Sequence, residues 1–191
     1  MDISETKSIT YNAINKLERK KVKKEYVKEK NKKRVETTNW KFGIEHYDYN
    51  NQLNMIKDIL DNNYNYIEND NVSKIAVQQI NRKLYGYKQQ DYIKKIFNEN
   101  QFITIESIIN KMVECQLKCY YCSCEMNVLY DISREMRQWT VDRIDNDLGH
   151  NLTNYYLACL ECNLKRRRRS DCKFLFTKQM KLVKVPGENN D

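Results

Sequence analysis

The chain has 191 residues, with 34 Lys and Arg against 26 Asp and Glu and a formal net charge of +8. That length fits one or two modest domains, and a content of 40% hydrophobic and 11% aromatic residues excludes a wholly disordered chain. No stretch approaches the ~20 apolar residues of a spanning helix, and Met1 to Glu5 lacks the basic start and apolar centre of a signal peptide. A soluble, intracellular protein without a membrane partner is expected, because the basic runs also lack the broad apolar face that a lipid surface demands.

In chain order, residues 1–36 contain neither Gly nor Pro, and the run from Lys16 to Arg34 is dominated by lysine. They read as a basic helical arm or extension, either a solvated helix or a segment that orders on binding. Residues 37–114 read as a mainly helical region. It opens with Trp40, Phe42, Tyr47, Tyr49, Tyr64 and Tyr66, aromatics better suited to packing than to base stacking, with Ile56, Ile59 and Leu60 at helical spacing among them. A helix is expected around Ile75 to Leu84, with Gly86 breaking it before Tyr92, Ile93, Ile96 and Phe97 resume the period. Ile105, Ile108, Ile109, Met112 and Val113 then follow the i, i+3, i+4, i+7, i+8 pattern of a helix with one buried stripe.

Residues 115–175 carry the chemistry. Cys119-Tyr-Tyr-Cys122 and Cys159-Leu-Glu-Cys162 are two C-x2-C pairs, a spacing that lets one tight turn present two thiolates to one ion. Four such sulfurs suit tetrahedral zinc, and seven cysteines in a chain of this kind argue against a disulfide framework. With no coordination position left for water, the zinc is structural. Cys115, Cys124 and Cys172 remain over, and Cys124 is an alternative ligand.

Between the pairs, Gln138 to Asp145 alternates apolar and polar residues as a strand does, and Asn146-Asp147-Leu148-Gly149 supplies turn chemistry. Asn154 to Ala158 returns as a second strand, and a helix is expected from Asn163 to about Phe174. Just past the second pair, Lys165, Arg166, Arg167, Arg168 and Arg169 form a dense basic cluster that favours a polyanionic partner. Residues 176–191 read as a tail. The fold class expected is α+β: a mainly helical N-terminal part with a small C-terminal domain stapled by four cysteines.

Val141-Asp142-Arg143-Ile144-Asp145-Asn146, Gly149-His150, Asn154, Cys159-x-x-Cys162-Asn163 and Lys165 together resemble the HNH endonucleases. The closer likeness is to the branch with an Asp-Arg-Ile-Asp core seen in phages and large DNA viruses. The resemblance spans roughly residues 119–168. It implies a ββα-metal fold that grips one divalent ion, Mg²⁺ or Mn²⁺, beside the scissile phosphate of double-stranded DNA, and action in a viral setting, in host cytoplasm or virion. Asp142 resembles the family's metal-binding aspartate, Asn154 its central asparagine, and Asn163 the last member, which helps hold the metal.

Arg143 departs from the pattern. It stands where better-known members carry the histidine that deprotonates water, and an arginine keeps its proton in proteins. His150 is the replacement base that ordinary imidazole chemistry offers, and Asp145 can share a cation with Asp142 only if the turn at Asn146 swings it round. Arg143 itself is expected to point away from Asp142, toward a phosphate or into the hairpin. Arg166 to Arg169 are expected to contact phosphates. The function expected is hydrolysis of DNA phosphodiesters. The alternatives are a zinc-stapled binding module with a decayed centre and a structural or assembly protein that uses zinc only for stability.

Overall fold

The computed structural model describes residues 32–62 and 70–180. The chain divides into two units, Met1–Lys32 and Lys33–Asp191. Nearly all of the lysine-rich run, together with Tyr64, Tyr66 and most of the C-terminal tail, lies outside the described residues. Among those residues the fold mixes five α-helices with one small antiparallel sheet, and no helix is long and apolar enough to cross a membrane.

Two short 3-10 turns, Val35–Asn39 and Ile44–Tyr47, lead into helix α1, Tyr49–Asp61. Asp48 starts α1 by accepting from the backbone N–H groups of Asn50 and Asn51, which satisfies donors a helix start leaves unpaired. The expected spacing holds, since Ile56 and Ile59 are buried beside Met55. Helix α3, Ile105–Glu114, also forms where its stripe predicts it. Thr104 and Ser107 close a reciprocal capping box at its start, and Ile108, Ile109 and Met112 are fully buried.

Helix α2 corrects the sequence reading. It runs unbroken from Asn71 to Ile93, through Gly86. A glycine inside a helix costs about 1 kcal/mol relative to alanine, and burial of Val72, Ile75, Ala76, Ile80 and Leu84 on one side of it outweighs that cost. The helix then stops instead of resuming. Tyr92 and Ile93 are exposed, and Tyr92 stacks on Phe97 beyond the helix end at a centroid distance of 4.3 Å.

Strand β1, Trp139–Arg143, pairs antiparallel with β2, Tyr155–Cys159, so that Asp142 lies opposite Tyr156. The single helix expected after the hairpin is two: α4, Leu160–Arg166, and α5, Asp171–Gln179. Arg167 separates them with a φ of 55°, a left-handed conformation that ends a helix. One continuous core joins Ile56, Ile80 and Met112 of the helices to Leu117, Tyr121, Trp139 and Leu157 around the hairpin.

Candidate functional site

The two cysteine pairs come together. The sulfur atoms of Cys119, Cys122, Cys159 and Cys162 all lie within 4.8 Å of one another. Four thiolates around a zinc at about 2.3 Å stand at comparable separations, so this donor set fits a tetrahedral dication. The thiols of Cys119 and Cys162 turned toward the Cys159 sulfur draw its pKa far down, and Cys162 is pushed up in exchange. Cys124 stands outside the group, although its carbonyl accepts from the Cys119 N–H at 2.9 Å and so shapes the first turn.

Tyr121, inside the first pair, is fully buried and donates its hydroxyl to Asp142 Oδ2 at 2.6 Å. The cysteine cluster is thereby linked directly to β1. The same carboxylate takes a guanidinium side-on: Arg166 Nε reaches Oδ2 at 2.5 Å and Nη2 reaches Oδ1 at 3.0 Å. Burial pushes the Asp142 carboxyl up, and Arg166 and Tyr121 oppose that by stabilising its charge. Arg166 is 1% exposed, which removes it from the surface cluster expected to meet phosphates. Lys165 pairs with Glu161, Arg168 with Asp147 at 2.5 Å, and the Arg169 guanidinium sits over the Phe174 ring at 5.9 Å. Arg167, Arg168 and Arg169 remain exposed.

Helix α2 covers the edge of β1 that faces away from β2. Lys83, Tyr87 and Asp91, at i, i+4 and i+8, form one polar stripe along it. Lys83 Nζ donates to the Trp139 carbonyl, and the Tyr87 hydroxyl accepts from the Val141 N–H at 3.1 Å. The remaining edge carbonyls are met by Asn163 Nδ2, 3.1 Å from Val141 O, and by Arg166 Nη2 at Arg143 O. An open strand edge is thus closed by side chains. Burial, with Arg34 adding to it, pushes the Lys83 ammonium down to about 7.

Asp142, His150 and Asn163 line one cavity of about 380 Å³, together with Lys83, Tyr87 and Arg143. Asn163 spends its amide hydrogens on Thr140 Oγ1 and Val141 O, which leaves its amide oxygen without a donor among the described residues. Arg143 donates to Leu148 O at 2.9 Å, a contact within the hairpin and not with the Asp142 carboxylate. His150 Nδ1 lies 2.7 Å from Asp91 Oδ1, and its ring stacks on Tyr87 at 4.6 Å. Gly149 makes that approach possible, since a Cβ there would stand 2.7 Å from Ile96 O and 2.9 Å from Asp91 Oδ2.

Two candidates lie elsewhere. Asn154 stitches the hairpin loop, accepting from the Asp145 N–H at 2.8 Å and donating to Asp145 O and Gly149 O. Asp145 is exposed, caps its own turn at the Asp147 N–H, and faces a separate groove beside Arg168 and Arg169. It does not join Asp142. Asp91, Lys83 and Tyr87 escape the sequence reading, because their shared face is visible only if α2 continues through Gly86. No family model matches this chain, and no curated protein or solved structure does.

Proposed function

We propose that the protein is a metal-dependent endonuclease of the HNH type that hydrolyses phosphodiester bonds in double-stranded DNA. The observation that carries the reading is the cavity shared by Asp142, Asn163 and His150 on a strand–strand–helix unit tied to a four-cysteine cluster. A carboxylate and an imidazole lining one cavity, with Lys83 and Arg143 also in its lining, suit a phosphodiester better than a neutral substrate.

Zinc would occupy the four cysteines and hold the hairpin. Asp142 Oδ1, which accepts one hydrogen bond from Arg166 and so keeps a lone pair, and the amide oxygen of Asn163 are hard donors of the kind Mg²⁺ or Mn²⁺ takes beside water and phosphate oxygens. Such an ion, when bound, would stabilise charge developing on the phosphoryl and leaving oxygens. The exposed Arg167, Arg168 and Arg169 would hold flanking phosphates without reading sequence.

A second reading is a zinc-stapled DNA-binding module that does not cut. The clamp of Arg166 on Asp142 favours it, because a carboxylate already neutralised attracts a cation weakly. Titrating Mg²⁺ and Mn²⁺ against labelled duplex separates the two. Metal-dependent strand scission selects the nuclease, and salt-sensitive binding without scission at any metal concentration selects the module.

A further inference from the structure

Asp91 is 0% exposed and sits on α2, far in sequence from the hairpin, yet both its oxygens are spent on one residue. Oδ1 meets His150 Nδ1 at 2.7 Å and Oδ2 accepts the His150 N–H at 2.7 Å. We infer that Asp91 is the positioning residue of a carboxylate–imidazole dyad in which His150 takes the proton of the attacking water. The inference rests on the nuclease reading and supplies the base that Arg143 cannot be.

The physical case is one of tautomer and orientation. A carboxylate oxygen at Nδ1 favours the ring proton on that nitrogen, and in the neutral imidazole this leaves the lone pair on Nε2. Tyr87 stacks on the ring within 24° of parallel, which fixes the plane in which that lone pair lies, and His150 lines the cavity that Asp142 and Asn163 share. The charged and titratable groups around the imidazole are Asp91 and Tyr87 on α2, Lys94 at its end, and Arg143 on β1. Burial leads in lowering the His150 pKa, Arg143 and Lys94 add to it, and Asp91 opposes them. The net push is toward the neutral imidazole, the form that can accept a proton.

In the step itself, a water oxygen bonds to phosphorus while its proton passes to Nε2. The bond from phosphorus to the leaving sugar oxygen breaks, and that oxygen takes a proton from solvent. Nothing is oxidised or reduced. His150 returns its proton to bulk water.

The test compares the full-length zinc-loaded parent with Asp91→Asn and His150→Gly variants in plasmid nicking across pH, beside ¹⁵N spectra of the parent's histidine rings. The dyad predicts a ring proton on Nδ1 of His150 near neutral pH and a fall of about 100-fold or more for His150→Gly, partly restored by added imidazole. It predicts slower cleavage by Asp91→Asn with the acid limb moved to lower pH, because the charge that holds the imidazole proton is gone. A structural role alone would move neither the limb nor the imidazole rescue. Parental rate and pH profile in Asp91→Asn would overturn the dyad while leaving the nuclease standing, as would a proton on Nε2, which the unaltered chain reports even where a variant fails to fold. A parent that does not cut would overturn the nuclease reading, and the catalytic role of the dyad with it.

Discussion

Arg166 grips Asp142 with two nitrogens of its guanidinium, at 2.5 and 3.0 Å, in a site where both side chains are at most 4% exposed. Removing one partner of such a buried pair strands the other's charge and costs about 3–5 kcal/mol, whereas removing both costs much less. Arg166→Met is therefore expected to lower thermal stability sharply, and Asp142→Asn combined with Arg166→Met to restore much of the loss. Equal melting temperatures for Arg166→Met and the parent would contradict the clamp.

The four-cysteine cluster should copurify with one zinc per chain. Substituting Cys159→Ser, one of the four clustered sulfurs, removes a ligand that four-coordinate zinc needs. Elemental analysis should show the metal lost and melting should show the hairpin region weakened. Retained stoichiometric zinc in this variant would move the site elsewhere.

Lys83 gives the fold a pH dependence of definite sign. Its pKa is about 7 in the folded chain against an ordinary 10.5, so between those values the unfolded chain binds the extra proton and stability rises with pH. The stabilisation is complete above the ordinary value and is lost progressively as pH falls from there to about 7. The melting temperature of the parent should climb relative to a Lys83→Met variant from neutral to mildly alkaline pH. Parallel curves would show that the amine keeps its ordinary pKa.

Much of the fold was legible in the residues, where the signal was local. Two C-x2-C pairs bring four sulfurs together because each pair needs only one turn, and the stripe Ile105, Ile108, Ile109, Met112 forms its helix because its capping residues agree with it. The rest depended on tertiary packing. Gly86 reads as a breaker until burial before it and the contacts of Tyr87 and Asp91 beyond it carry α2 through, and with the helix cut the stripe Lys83, Tyr87, Asp91 is invisible. Nor does a run of five basic residues announce which one turns inward. The left-handed Arg167 sets Arg166 apart from its neighbours, ending α4 with that side chain against β1.

The inward turn of Arg166, with Lys165 paired to Glu161, narrows the proposed DNA-binding cluster to Arg167, Arg168 and Arg169. Replacing all three by alanine should weaken duplex binding and reduce the slope of log affinity against log salt by about 0.9 for each phosphate that the protein no longer neutralises. Arg168 already spends part of its charge on Asp147, so its share is the smallest. An unchanged slope would leave the cluster as a solvated face.

The nuclease itself is tested most directly by incubating supercoiled plasmid with the zinc-loaded chain and Mg²⁺ or Mn²⁺, beside an Asp142→Asn, Asn163→Ala double variant of equal zinc content. Nicking by the parent that the variant loses is the predicted result. Intact plasmid at every metal concentration, with zinc bound and the chain folded, would contradict it.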